Sequence, residues 1–167
     1  MGENDILLDG AHRVSACLFY NKPVKIVRVK KKYCRLKKET FIAIVFPTIS
    51  NHKKKVRDIL NKYGNVYYEK KIYLNKQGSI NFINQLYLGE EWLGSWNNKF
   101  VGAQIKASLC FRRENPVRVY VFEAGSQREA RLAKEEIRRL FHYGNHSIHI
   151  NDTHDETIRV AEMVLNE

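Results

Sequence analysis

The residues best suited to chemistry lie near the end of the chain, where His149 and Asp152 stand three positions apart after a short apolar segment. A histidine beside a carboxylate can act as an acid–base pair or coordinate a divalent ion. The same pattern also fits a structural role, in which Asp152 and Thr153 cap the next helix and His149 is a satisfied polar residue. We predict His149 and Asp152 as catalytic residues, and we predict no dedicated metal site.

Basic side chains form a second group of candidates, which are Lys106, Lys134 and Arg138. Lys134 and Arg138 are four residues apart and therefore share one face of a helix. They flank the apolar stripe of Ala133 and Ile137, and from that edge they could reach a phosphate or carboxylate in a cleft. Neighbouring glutamate–arginine pairs on this helix are of the ordinary surface kind. Both interpretations stay open, with the three cations as candidate cofactor-binding residues.

A loop from Gly89 to Trp96 combines two carboxylates, two tryptophans and flexible glycines. Loops of this composition often form the wall of a ligand site, because aromatic surface is costly to leave exposed. In the alternative, Trp92 and Trp96 fill the core. We expect Glu90 and Glu91 to face water and the loop as a whole to have a functional role.

The N-terminal region contains an apolar run that leads into Asp9-Gly10-Ala11-His12-Arg13 and then into a segment compatible with a helix. A strand, a glycine turn and a helix start present backbone N–H groups and the positive end of a helix dipole to an anion. Arg13 would add a permanently charged forked donor. The segment predicts a phosphate-binding unit, or else a turn in which Gly10 serves geometry alone.

This motif, with Ala16 three positions after the arginine, resembles the ParB/sulfiredoxin-like superfamily, in which a strand ends in Asp-Gly-x-[His/Arg]-Arg. That superfamily includes nucleotide-binding partition proteins, ATP-dependent sulfinic-acid reductases and free-serine kinases. The resemblance covers about residues 5–29 and corresponds to the closing part of that fold. It implies a nucleoside triphosphate with Mg²⁺ as cofactor, with the phosphates held by Asp9, Gly10, His12 and Arg13.

The net charge of +11 is concentrated in residues 21–75, which carry 16 Lys and Arg against 3 Asp and Glu. A localised basic field attracts polyanions and binds phosphate backbones with little sequence preference. Nucleic acid is therefore a second predicted partner, although such lysine runs also occur as solvated connectors. Phosphorylated small molecules and nucleotides are the first.

The chain shows no sign of a membrane or secretory destination. No apolar run approaches the roughly 20 residues that a spanning helix needs, and the N-terminus lacks a signal-peptide pattern. Cys17, Cys34 and Cys110 lie far apart, which predicts neither a zinc site nor a disulfide framework. Such sparse cysteines fit a reducing compartment, and we expect a cytoplasmic protein.

Hydrophobic periodicity predicts alternating strands and helices. Strands are expected at 41–46, 65–74, 117–122 and 147–150, and helices at 51–63, 78–88, 99–111, 126–141 and from 153 onward. We predict an α/β fold made of a partial ParB/sulfiredoxin-like unit (1–30), a basic connector (31–40) and an α/β domain (41–167). Its sheet of about four strands would be mixed or parallel and flanked by helices, with strands 117–122 and 147–150 parallel and close together.

These patterns predict a phosphate- or nucleotide-binding protein, with a nucleotide-dependent phosphotransferase as the enzyme they favour. Phosphoryl transfer depends mainly on positioning and charge neutralisation, which basic side chains supply. The alternatives are a non-enzymatic ParB-like nucleic-acid-binding module that uses residues 21–75, and an assembly domain that meets a partner through its tryptophan loop. Motifs typical of P-loop NTPases, serine hydrolases and zinc metalloproteases do not occur.

Overall fold

The computed structural model describes residues 39–165. They belong to the second of the two units into which the chain divides, Met1–Lys37 and Lys38–Glu167. The predicted phosphate-binding turn, with Asp9, Gly10, His12 and Arg13, lies outside the described residues, as does most of the basic connector.

The described residues form four strands and five α-helices. In chain order these are β1 Glu39–Val45, α1 Lys53–Tyr63, β2 Gly64–Ile72, α2 Lys76–Leu86, α3 Val101–Cys110, β3 Val117–Ala124, α4 Gln127–Phe141, β4 Ile148–Ile150 and α5 His154–Leu165. Short 3₁₀ turns lie at Ser50–His52, Glu91–Leu93, Trp96–Asn98 and Gly144–His146. The predicted elements of this region are therefore confirmed, with their ends shifted by at most two residues.

The sheet has the strand order β2-β3-β1-β4, and every neighbouring pair is antiparallel. Two strand–helix–strand units interleave, so β3 lies between the parallel strands β1 and β2, and β1 lies between β3 and β4. This is the split β-α-β arrangement of ferredoxin-like folds. The predicted α/β class with four strands flanked by helices is confirmed. The predicted closeness of strands 117–122 and 147–150 is wrong, because β1 fills the space between these two parallel strands.

Both faces of the sheet are covered, which explains the continuous apolar run in β1. Phe41, Ala43 and Val45 pack into a core beneath α1 and α4. Ile42 and Ile44 point to the other face and join a second core with α2, α3 and α5. Fully burying a large aliphatic or aromatic side chain stabilises a fold by about 1.5–3 kcal/mol. The central strand therefore anchors both layers of helices.

Helix α3 packs in an orientation that its largest apolar residues do not indicate. Val101 and Ile105 are 48% and 56% exposed. The buried side instead carries small residues and Lys106. A Cβ atom at Gly102 would lie 1.8 Å from the carbonyl oxygen of Trp92, so the glycine permits α3 to lie directly against the tryptophan loop.

Helix α4 presents Lys134 and Arg138 beside the end of β4. Ser126 caps its N-terminus, because the Ser126 hydroxyl accepts the Glu129 N–H, as in the Ser-x-x-Glu pattern of a capping box. Its buried stripe includes Ala133 and Ile137, as predicted. No helix within residues 39–165 is long and apolar enough to cross a membrane.

Candidate functional site

A cavity of about 760 Å³ opens beside β4, and its lining residues come from several helices, from β4 and from the connecting loops. Five of the predicted catalytic and cofactor-binding residues line it: Lys106, Lys134, Arg138, His149 and Asp152. They come from α3, α4, β4 and the turn before α5. The structure therefore brings these five residues together. Their catalytic and cofactor-binding roles remain predictions.

His149 lies at the floor of the cavity because β4 alternates its side chains. Its neighbours in β4 are buried in the core beneath α1 and α4, so the His149 ring faces the opposite side and is only 6% exposed. The ring meets Tyr87 edge-on at a centroid distance of 5.2 Å. Burial lowers the pKa of His149 and outweighs the opposing effect of Glu156, so the imidazole is neutral at pH 7.

The carboxylate that faces His149 is Glu156, rather than Asp152. Glu156 Oε1 lies 3.0 Å from His149 Nε2, although the contact lacks the alignment of a hydrogen bond. Glu156 Oε2 accepts the Asp152 N–H at 2.7 Å. Burial acts to raise the pKa of Glu156, but His149 and this N–H together lower it to about 2. The carboxylate is therefore ionised beside the imidazole.

Asp152 faces a cation instead. Its two carboxylate oxygens lie 3.1 and 3.0 Å from Lys134 Nζ. The predicted acid–base pair of His149 and Asp152 is thus replaced by two pairs, His149 with Glu156 and Asp152 with Lys134. The sequence signal for this arrangement is the capping-box pattern Thr153-x-x-Glu156, in which Thr153 Oγ1 accepts the Glu156 N–H at 3.2 Å. A glutamate at this position reaches back toward the preceding strand, where the histidine lies.

Lys106 reaches the cavity from the buried side of α3. Its Nζ donates to the Asn145 carbonyl at 2.7 Å and lies 3.4 Å from His146 Nδ1. The same nitrogen is 5.6 Å from the centre of the Tyr87 ring. Burial lowers the pKa of Lys106, and Arg138 nearby lowers it further. Such a buried cation gains free energy from an anion at this place.

Two arginines complete the basic wall. Arg138 Nη2 donates to the Ile148 carbonyl at 3.2 Å, while its Nε is buried and has no hydrogen-bond partner among the described residues. An orphaned buried donor beside a cavity is typical of a ligand site. Arg159, which sequence reasoning missed, donates to the carbonyls of Gln85 and Leu86 and so fixes the end of α2 beside the cavity.

The tryptophan loop forms the aromatic rim of the cavity. Trp92 is 44% exposed and packs edge-on against Tyr87 at 5.2 Å, and Trp96 is 86% exposed. The alternative in which both tryptophans fill the core is wrong, because Leu93 takes the buried position between them. Glu90 and Glu91 are exposed as expected. Burial of the Tyr87 hydroxyl raises its pKa well above the ordinary range.

Comparison with known proteins bears on the fold. Neither a protein-family model nor a curated protein sequence matches the chain. A solved structure of nucleoside diphosphate kinase from Aquifex aeolicus is similar, with 13% identity, a TM-score of 0.50, and 77% of this chain and 96% of that chain covered. The chain therefore has a nucleoside diphosphate kinase-like fold. A second structure, nucleoside-diphosphate kinase from Borrelia burgdorferi with bound vanadate and ADP, is 11% identical, with coverages of 78% and 88% and a TM-score of 0.46.

Two further predictions from the sequence concern a metal site and the basic segment 21–75. Residues 39–165 contain no group of three or more His, Cys, Asp and Glu side chains placed to hold a metal. Of the basic segment 21–75, Lys53, Lys54 and Lys55 are exposed in the first turn of α1. The lysines at positions 30–32 lie outside the described residues.

Proposed function

We propose that this protein is a nucleotide-dependent phosphotransferase in which His149 receives the phosphoryl group. The observation that carries the proposal is a neutral, buried imidazole at the floor of a cavity whose walls hold Lys106, Lys134, Arg138 and Arg159. A fold neighbour is named a nucleoside diphosphate kinase, which favours a nucleoside triphosphate as donor. Mg²⁺ would enter as part of that nucleotide substrate.

The nucleophile would be His149 Nδ1. Glu156 beside Nε2 favours the tautomer that keeps its proton on Nε2, which leaves the lone pair on Nδ1. Nδ1 attacks the terminal phosphorus, an N–P bond forms, and the P–O bond to the leaving nucleoside diphosphate breaks with its electron pair on oxygen. The ring then carries a positive charge, which the ionised Glu156 stabilises.

The cations would neutralise the phosphates during transfer. Negative charge spreads over the transferred group and its bridging oxygen in the transition state, and fixed donors in a partly desolvated cavity stabilise it strongly. Arg138 has a buried Nε free to donate. Lys134 already holds one carboxylate, Asp152, and a phosphate oxygen could share or replace that contact.

The aromatic rim would hold the base. Trp92 combines an exposed face with a fixed position against Tyr87. A base stacked on an aromatic side chain gains about 1–3 kcal/mol with little base preference. We therefore expect the site to accept several nucleoside triphosphates with similar affinity.

The test is phosphorylation of the protein itself. The full chain incubated with labelled ATP and Mg²⁺ should acquire label that is stable in alkali and lost in acid, as expected for a phosphoramidate. His149→Gln should abolish it. His154→Gln is the matched control, because His154 is exposed in the first turn of α5 and lies only five residues away. Unlabelled wild-type protein, or equal labelling of His149→Gln, would rule the proposal out.

The N-terminal turn remains a separate proposal. If Gly10, His12 and Arg13 bind triphosphate as the ParB/sulfiredoxin-like resemblance implies, Arg13→Ala should reduce nucleotide binding while His149 can still be phosphorylated at saturating ATP. An unchanged dissociation constant for ATP in Arg13→Ala would exclude that role.

A further inference from the structure

A smaller groove runs along α4 beside the His149 cavity. It has a volume of about 520 Å³ and is lined by Gln127, Arg128, Arg131, Lys134, Glu135, Arg138 and Asp152. Lys134, Arg138 and Asp152 also line the His149 cavity. The two spaces therefore share a wall, and a linear ligand with one end at His149 can continue along α4.

The charge of this groove favours an extended anion. Four cations line it against the two carboxylates Glu135 and Asp152, each of which already contacts one of these cations: Arg131–Glu135 at 3.5 Å and Lys134–Asp152 at 3.0 Å. Arg128 and Arg138 are ten positions apart, which corresponds to about 15 Å along the helix axis. Positive side chains would therefore contact a ligand along a length much greater than that of the transferred phosphoryl group.

The lining also indicates which kind of anion fits. No aromatic or aliphatic residue lines the α4 groove, whereas the His149 cavity has Tyr87 and Trp92. Single-stranded nucleic acid is usually bound by basic grooves that also offer aromatic side chains for its bases. A chain of phosphates without bases needs only the cations. The groove is therefore better matched to a polyphosphate chain.

We propose that the α4 groove binds linear polyphosphate, whose terminal phosphoryl group is transferred to His149. The proposal rests on the proposed function of His149. In this step the Nδ1 lone pair forms an N–P bond with the terminal phosphorus. The terminal P–O–P bridge breaks, and the electron pair remains on the oxygen of a chain that is shorter by one phosphate. Lys134 and Arg138 contact the phosphates nearest to the reaction, and Arg128 and Arg131 hold the distal ones.

Binding and labelling are measured separately. Isothermal titration of the full chain with long-chain inorganic polyphosphate, tripolyphosphate and ATP should show the tightest binding for the long chain. Arg128→Gln with Arg131→Gln should weaken long-chain binding roughly tenfold, as expected for two lost charge-assisted contacts. The same variant should leave labelling of His149 by ATP within about twofold, because neither arginine lines the His149 cavity.

Lys54→Gln with Lys55→Gln is the matched control, because it removes the same charge from exposed positions on α1. An equal loss of polyphosphate binding in this control would show an effect of total charge and overturn the proposal. Equal affinities for tripolyphosphate and the long chain would also overturn the proposal. The same holds if an oligonucleotide binds as tightly as long-chain polyphosphate and its binding depends equally on Arg128 and Arg131. Failure of ATP to label the wild type would instead rule out the proposed function of His149, since polyphosphate binding to the groove is measured by titration and does not depend on labelling.

Discussion

At the scale of single residues, Glu156 performs two tasks with one carboxylate. One oxygen accepts the Asp152 N–H at the start of α5, and the other lies against His149. A residue that caps a helix therefore also sets the charge beside the proposed nucleophile. The two tasks can be separated by substitution, because an amide oxygen can still accept a hydrogen bond but carries no charge.

Glu156→Gln should lower the rate of His149 phosphorylation by about 10–100-fold, the range found when the partner that orients a metal-ligating histidine is replaced. Its melting temperature should stay close to that of the wild type. Glu156→Ala should lose the rate and also about 1 kcal/mol of stability, because the N–H at the helix start loses its acceptor. Rapid-quench labelling and thermal unfolding measure the two effects. An unimpaired rate in Glu156→Gln would contradict the proposal that the Glu156 charge stabilises the phosphorylated ring.

The pH dependence of stability follows from the same pair. The pKa of His149 lies below its ordinary 6.5 in the folded protein, so the unfolded chain binds a proton first and stability falls as pH drops below about 6.5. The pKa of Glu156 falls from 4.5 to about 2, which adds stability that is lost as pH falls between these values. Urea unfolding at several pH values should show both declines. His149→Gln should remove the decline below about pH 6.5. An unchanged pH profile in that variant would contradict the assignment of this decline to His149.

At the scale of elements, the tryptophan loop depends on how closely α3 approaches it. Gly102→Ala would place a methyl group 1.8 Å from the Trp92 carbonyl oxygen, so the helix and loop must separate. We expect a loss of about 1–3 kcal/mol, as for other overpacked sites, together with a changed tryptophan fluorescence spectrum. Gly78→Ala is the control, because its nearest neighbour is a side-chain oxygen at 3.2 Å. Equal stabilities for the two variants would show that the loop does not need this contact.

The elements themselves could be predicted from the sequence, but their partners in space could not. Capping boxes and apolar periodicity indicated α4 and α5 closely, because these signals are local. The sheet order could not be found this way, since nothing local in β3 or β4 indicates that β1 lies between them. Lys106 illustrates the same difference within the site. It was selected for its charge, yet it is buried because it lies on the same face of α3 as Ala103 and Ala107, and not with the larger apolar residues.

At the scale of the whole molecule, the uneven charge needs an explanation that the His149 cavity does not supply. Lys53, Lys54 and Lys55 occupy the first turn of α1, where no acidic residue accompanies them. Cations at this end of a helix oppose the helix dipole, by about 0.3–1 kcal/mol each at exposed positions. Three of them together are unfavourable for α1, which suggests that they are retained for a polyanion outside the fold.

Replacing Lys53, Lys54 and Lys55 by Gln should therefore have two opposite effects. Stability should stay equal or rise by up to about 1 kcal/mol, because the repulsion from the helix dipole disappears. Affinity for single-stranded or duplex nucleic acid at roughly 50 mM salt should fall, and the difference from wild type should shrink as salt is added, because phosphate contacts are screened. Gel-shift titrations and urea unfolding measure both.

Arg128→Gln with Arg131→Gln serves as the comparison, since it should spare nucleic-acid binding while it weakens polyphosphate binding. Absence of nucleic-acid affinity in the wild type at this salt concentration would exclude nucleic acid as the partner of these lysines, and the proposed phosphotransferase activity would be unaffected because His149 lies on a different element.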